Sequence, residues 1–445
     1  MICIIIILTL LRQYRIDPMS ELKKVLIVTY YWPPAGGPAI QRTLKFVKYM
    51  RFFGWEPVIL TVENGEYPAI DPSLIQEIPD NIQVYKTKAF QPFQLYRMLT
   101  GKKGNTHNNA NVFGQKDKTF VERLAKWIRL NLFIPDARIG WYAYAVKAAK
   151  KIIEQEHIDL IYSSSPPHSL QLIAQKIAKQ NKIKWVADFR DPWSELVHYQ
   201  SYKRTWLTRK IDSHFEKSVF RSADRLVAAA NDYATCIKTH VDRKIEVIYN
   251  GYDPSDFPKP KSKNTEDFLI TYTGELSEDR IPHALLRALS RLEDSNIKLQ
   301  FIGNTCPELK QEIQQLNLGN KVILKPYMPH IASIAELQQS DLLLLVINQA
   351  ANGKGIVPGK IFEYLGTRKP ILCLGDPTGE AGEIIKTTNS GFCIAHHNEE
   401  EIFILLSRLS SGVLPSLSFQ IEQFERKNET GQLCDIFNTL VNKPS

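Results

Sequence analysis

Short apolar runs rich in Val, Ile and Leu alternate along the chain with longer stretches whose apolar residues recur at helical spacing. This alternation predicts βα units built around parallel sheets. Runs at 24–30, 57–62, 82–87, 159–164, 184–188, 225–229 and 245–249 predict a first set of strands. A second set is predicted at 268–274, 297–302, 321–325, 341–347, 370–374 and 391–394. Between the sets stand Asn250-Gly251-Tyr252-Asp253 and then a stretch rich in Pro, Lys and Ser, the composition of a connector. The pattern divides the chain into an N-terminal domain over 19–252, a linker over 253–267, a C-terminal domain over 268–415 and a helical end over 416–445. Each domain is expected to be a doubly wound, Rossmann-like parallel sheet. Two in tandem leave an interdomain cleft at the carboxyl ends of the strands, so ligand groups belong in loops just after strands.

With 445 residues, 44% of them apolar and 23% charged, the chain is expected to be folded and globular rather than disordered, collagenous or polytopic in a membrane. Its six cysteines form no C-x-x-C pair, which argues against a zinc site or disulfide framework and fits a reducing cytoplasm. Residues 1–18 (MICIIIILTLLRQYRIDP) hold an apolar run too short for a bilayer span and without the flanks of a signal peptide. They read as an upstream extension ahead of Met19 or as a short anchor.

The formal charge is +9, and all of this excess lies between Arg97 and Lys151, where twelve basic residues face three acidic ones. Such a patch points to phosphate on nucleic acid, lipid or ligand. Within it, residues 101–116 are polar enough to predict a mobile loop, and 119–133 form an amphipathic helix. Phe120, Val121, Leu124, Trp127, Ile128 and Leu132 share one arc, with Arg123, Lys126 and Arg129 opposite. A core-facing surface helix and a helix lying in a lipid interface both satisfy this pattern. The company of Trp127, Leu132 and Phe133, without a helix-turn-helix or RNA-recognition signature, disfavours nucleic acid.

Two glycine-containing turns carry candidate chemistry. Gly36-Gly37 precede a helix opening at Ala39, where a backbone can approach a phosphate or sugar closely. The segment is neither a G-x-G-x-x-G fingerprint nor a Walker loop. In Lys354-Gly355-Ile356-Val357-Pro358-Gly359-Lys360, Pro358 suits the first helical position, which leaves N–H groups around Gly359 and Lys360 to seat a phosphate. Lys360 adds a cation beside a diphosphate, and Glu363 lies one turn on, placed to accept from ribose hydroxyls.

The segments YYWPPAGGPAIQR, NLFIPDARIGWYAYAVKAAKKI, DLIYSSSPPHSLQLIA, WVADFRDPW, VIYNGYD, YTGEL and PGKIFEYLGTRKPIL, in order between Lys23 and Leu374, resemble bacterial glycosyltransferase family 4. The resemblance implies a GT-B fold and a retaining transfer of sugar from a nucleotide-sugar donor of UDP or GDP type. It implies neither cofactor nor metal, and no D-x-D stretch is present. By resemblance, Arg280 and Lys360 neutralise the donor diphosphate, with Glu275 standing where an arginine is usual. Glu363 contacts the ribose, Tyr327 and Met328 lie at the nucleobase, and Gly355 replaces the first of two glutamates normally eight apart. His168 and Asp191, each just after a strand, would orient the sugar or the acceptor hydroxyl, the departing diphosphate oxygen taking the proton.

These readings imply a hexosyltransferase in cell-surface polysaccharide biosynthesis, peripheral on the inner face of the plasma membrane. The acceptor would be lipid-linked or a glycan, and Arg123, Lys126, Trp127 and Arg129 would face anionic lipid. A nucleotide-sugar epimerase and a degenerate, non-catalytic scaffold of the same fold are the alternatives.

Overall fold

The computed structural model describes residues 22–63, 65–67, 69–91, 120–194, 204–259, 263, 266–292, 295–349, 353–412 and 417–441. The terminal segment 1–18 and the polar stretch 101–116 lie outside these residues. All thirteen expected strands form, with ends shifted by one or two residues. They are β1 (Lys23–Val28), β2 (Trp55–Val62), β3 (Gln83–Thr87), β4 (Leu160–Ser165), β5 (Lys184–Phe189), β6 (Arg225–Ala228) and β7 (Ile245–Val247), then β8 (Phe268–Thr273), β9 (Ile297–Ile302), β10 (Val322–Lys325), β11 (Leu342–Val346), β12 (Ile371–Leu374) and β13 (Gly391–Ile394).

The interleaved helices are α1 (Pro38–Met50), α2 (Phe120–Asn131), α3 (Tyr142–Glu156), α4 (Ser169–Asn181), α5 (Trp206–Ser222), α6 (Asn231–Lys238), α7 (His283–Ser290), α8 (Pro307–Gln315), α9 (His330–Gln339), α10 (Lys360–Thr367), α11 (Glu380–Thr387), α12 (Glu399–Ser410) and α13 (Arg426–Val441). Local chemistry sets several starts. Gly37, at φ +96°, precedes Pro38 at the opening of α1, the Thr205 hydroxyl caps α5 by accepting from the Thr208 N–H, and Asn398 caps α12 ahead of three glutamates.

The first sheet has strand order β3-β2-β1-β4-β5-β6-β7 and the second β10-β9-β8-β11-β12-β13, every pairing parallel. In each sheet the order reverses beside its first strand, so loops after β1 and β4, and after β8 and β11, flank a topological switch point, where α/β sheets bind ligands.

The chain separates into two compact units, one comprising residues up to Ala229, Tyr233–Tyr249 and Glu429 onward, the other Ala230–Asp232 and Asn250–Asn428. In the first, Val25, Ile27, Ile59, Leu160 and Val186 of the sheet pack on Ile40, Leu44 and Val47 of α1. The last helix begins at Arg426, and its Leu433, Cys434 and Phe437 enter this same core, with Phe437 edge-on to Trp55 at 5.2 Å. In the second, Ile270, Leu299, Leu344 and Leu372 pack on Leu285 and Leu289 of α7 and Leu406 of α12. Burial of each such side chain contributes about 1.5–3 kcal/mol. No helix among the described residues is long and apolar enough to cross a membrane.

Candidate functional site

In the second unit the polypeptide leaves β8 through Gly274, whose φ of +107° is a conformation that side-chain-bearing residues rarely adopt. Gly303, after β9, comes so close that a Cβ there would lie 2.4 Å from the Gly274 carbonyl oxygen. The two bare backbones open a space into which Lys360 projects from the first turn of α10. Its Nζ donates to the Thr273 carbonyl at 2.7 Å and sits 4.0 Å from the centroid of the Tyr272 ring. Burial and then the neighbouring Arg280 cation drop the Lys360 pKa from its ordinary 10.5 to about 7, against the opposing pull of Glu363.

Arg280, in a short 3-10 turn over Glu278–Arg280, reaches the Glu275 carbonyl at 3.4 Å, while its buried Nε has no partner among the described residues. Two neighbouring cations without an ion-paired carboxylate among the described residues are costly for the protein alone, and an arriving dianion relieves the cost. At the head of α10 the Ile361 and Phe362 N–H groups turn back to Pro358 and Gly359. The Gly359 and Lys360 N–H groups find no backbone acceptor among the described residues, and a Cβ at Gly359 would meet no atom within 4 Å. Glu363, one turn on, is bonded to His330 Nε2 at 3.0 Å. The ensemble can hold a diphosphate against charge and N–H groups, with a carboxylate one helical turn away.

In the first unit, β4 runs into the stretch Ser165–His168 at the start of α4. Asp136 holds that start by accepting from the Ser169 N–H at 2.8 Å and the Ser169 hydroxyl at 2.9 Å. His168 is buried and stacked on Trp193, rings 4.8 Å apart and 15° from parallel. Neither ring nitrogen finds a hydrogen-bond partner among the described residues. Burial lowers the His168 pKa from 6.5 to about 4, against the opposing pull of Asp136 and Asp191, so the ring is neutral at physiological pH. Asp191, half-exposed, pairs with Arg190 at 3.0 Å. A buried imidazole with two unpartnered nitrogens has hydrogen bonds to offer a ligand hydroxyl.

The family model described as Glycosyltransferase Family 4 matches residues 110–256, and that described as Glycosyl transferases group 1 matches 254–412. The chain belongs to the family 4 GT-B glycosyltransferases. Solved structures share its fold at low identity. A glycosyltransferase from Rickettsia africae is 14% identical, covering 96% of this chain and 100% of its own, with a TM-score of 0.59. HepE from Anabaena, in complex with UDP and glucose, is 16% identical over 94% of this chain and 100% of its own, at 0.57. A putative UDP-N-acetylglucosamine 2-epimerase from Listeria monocytogenes is 11% identical over 95% and 98%, at 0.55. No curated protein sequence matches the chain.

In this glycosyltransferase the expected donor residues Arg280, Lys360, Gly359 and Glu363 gather in the second unit, and His168 and Asp191 in the first. Tyr327 is 75% exposed in the turn three residues before His330. Pro358 stands one residue before the N-cap Gly359 rather than at the first helical position, because a tight turn from Pro358 closes the helix start. Gly355 does not offer open backbone: a Cβ there would lie 1.9 Å from Asp232 Oδ2, so glycine makes room for that carboxylate. Gly36 likewise serves packing, since its Cβ would press on Asp71 Cβ at 3.0 Å, whereas Gly37 faces open space. Asp136, Tyr272, Gly303 and His330 were not singled out by sequence. Asp136 and Tyr272 sit in segments whose resemblance was evident, and Gly303 and His330 owe their place to neighbours distant in the chain.

His168→Phe tests the acceptor-side group. The ring still stacks on Trp193 and two unsatisfied nitrogens disappear, so the melting temperature should hold or rise. Turnover should fall by about 10²-fold through lost alignment. A parallel fall in melting temperature would reassign His168 to packing.

Proposed function

We propose that this glycosyltransferase moves a hexosyl group from a UDP- or GDP-sugar to a lipid-linked or glycan acceptor, with retention at the anomeric carbon and without a metal ion, in building a cell-surface polysaccharide. The observation that carries this reading is the convergence of Lys360 and Arg280 on the Gly274 turn beside the unpaired N–H groups of α10. The UDP and glucose held by the similarly folded HepE support a nucleotide-sugar donor.

In this mechanism the diphosphate rests on Lys360, Arg280 and the Gly359 and Lys360 N–H groups, and Glu363 takes the ribose hydroxyls. As the bond from the anomeric carbon to the diphosphate oxygen breaks, negative charge grows on that oxygen, and the two cations stabilise it. The acceptor hydroxyl attacks from the same face, and its proton passes to the departing diphosphate oxygen, so no protein base is needed. Neutral His168 aligns the hydroxyl groups, with Asp191 held by Arg190 beside it. The basic helix α2 brings the protein to the cytoplasmic face of the membrane, where lipid-linked acceptors reside.

Incubation with UDP- and GDP-sugars in EDTA, with and without membrane lipid extract, tests the proposal. Acceptor-dependent release of UDP or GDP, and a product of unchanged anomeric configuration by NMR, are expected. An isomerised donor without acceptor would make the protein an epimerase. A biological role untouched by Lys360→Ala would make it a scaffold.

A further inference from the structure

Helix α2 leaves much of its apolar arc outside the protein: Leu124 and Trp127 are each 46% exposed, and Leu132, just past its end, is 64% exposed. Its carboxyl end is locked to the start of α5. Asn131 Oδ1 accepts from the Thr205 N–H at 2.7 Å and from the Thr208 hydroxyl at 3.1 Å, and Arg204 donates to the Leu130 carbonyl at 3.3 Å. Leu132 and Trp206 each follow directly on a partner of the Asn131–Thr205 bond, which brings the two residues to the same junction. Trp206 is 68% exposed and Leu207 51%. Five large apolar side chains at this junction are thus exposed among the described residues, an uncommon gathering on a protein surface without a partner.

The charge around the patch selects the partner. Arg123 on α2 and Arg209 and Lys210 on α5 are exposed, whereas the Arg204 side chain is buried and paired with Asp212. Tryptophan and leucine flanked by exposed cations match the boundary of an anionic bilayer, where rings take the headgroup level and cations meet lipid phosphate. From this junction hydrogen bonds lead inward. Arg204 Nη1 donates to Asp212 Oδ2 at 2.6 Å, Trp193 Nε1 donates to Asp212 Oδ1 at 2.8 Å, and the Trp193 ring carries His168.

We infer that the α2–α5 junction is a two-helix membrane-docking surface, in which Trp206 and Leu207 enter the lipid interface together with Leu124, Trp127 and Leu132, and which Arg204, Asp212 and Trp193 connect to His168. This inference rests on the proposed lipid-linked acceptor. It extends the footprint from one amphipathic helix to a second element that the sequence pattern alone did not mark.

Sedimentation of the full-length protein with phosphatidylcholine vesicles, alone or with 30% phosphatidylglycerol, provides the test. Binding to the anionic vesicles at 50 mM salt is expected. It should be lost at 500 mM salt and weakened at least tenfold in Trp206→Ser/Leu207→Ser, with circular dichroism and melting temperature unchanged. If the double variant unfolds, Arg209→Glu/Lys210→Glu replaces it, with the same weakening expected. Wild-type binding that both pairs leave intact, but Trp127→Ser abolishes, overturns the two-helix surface and spares the membrane reading. Failure of the wild type to bind anionic vesicles overturns both. A dimer seen by light scattering that Trp206→Ser/Leu207→Ser disperses, with vesicle binding unchanged, assigns the patch to self-association and also overturns it.

Discussion

Lys360→Met abolishes nucleotide-sugar binding and, at pH 6, raises the melting temperature of the donor-free protein. Both effects have one cause. The ammonium is buried beside Arg280 without an ion-paired carboxylate among the described residues, and its pKa of about 7 reflects how strongly burial and the neighbouring cation resist the charge. Below pH 7 it is charged in both folded and unfolded chains, and the folded state bears the full cost, on the order of a few kcal/mol. Between pH 7 and the ordinary value of 10.5 the folded chain has released this proton while the unfolded chain keeps it. The unfolded state binds more protons there, so stability rises with pH across that window.

Methionine, of similar length and uncharged, removes the cost at low pH and flattens that rise. It also removes the cation on the diphosphate, and donor binding and turnover should each fall by about 10²-fold or more. Melting curves from pH 6 to 10 and calorimetric titration check the two sides. A variant less stable than wild type at pH 6 would contradict this account of the lysine.

The second large effect is on stability. Asp188, at the end of β5, takes Arg42 of α1 in a two-pronged pair, with Nε and Nη2 each at 2.8 Å and both side chains at most 1% exposed. The Tyr162 and Ser164 hydroxyls donate to Asp188 Oδ2 at 2.7 Å each, and Arg42 Nη1 donates to the Tyr249 carbonyl at 2.8 Å. The paired carboxylate holds the Arg42 guanidinium charged against its burial, and burial beside that carboxylate drives the Tyr162 pKa well above 10.

Asp188→Ala strands a guanidinium in the core and should cost about 3–5 kcal/mol, lowering the melting temperature of this unit by roughly 10 °C. Arg42→Met/Asp188→Leu removes both charges and should recover much of the loss. Denaturant titration of the two variants gives the comparison. Equal destabilisation by the single and double substitutions would mean that shape rather than charge holds the place.

The central strands were most legible, because runs such as VLIV in β1 and LLLLV in β11 are continuous in Val and Leu or Ile, the signature of strands buried on both faces. The candidate diphosphate seat was legible as a local cluster because Gly359, Lys360 and Glu363 lie within about one turn of helix. What escaped was non-local. Arg42 meets Asp188 across 146 residues, and sequence offered each only as an unremarkable charge near a helix start and a strand end. Gly303 matters because Gly274 lies against it, and the apolar contacts of α13 belong to a core whose other members, Trp55 and Tyr162 among them, are distant in the chain. The amphipathic arc of α2 fitted both core and lipid, and exposure of Leu124 and Trp127 removes the core placement for those two side chains. Physical chemistry read along the chain finds periodicity and local clusters. Pairings between distant segments need the fold.

Calorimetric titration with UDP-glucose and GDP-mannose at pH 6 and pH 8 tests the diphosphate seat most directly, since the charge on these donors is constant over that range. Saturable binding of one of them is predicted, about tenfold weaker at pH 8 as Lys360 loses its proton, and lost in Lys360→Met at both pH values. Absence of binding by either compound, or binding that Lys360→Met leaves intact, would contradict the account.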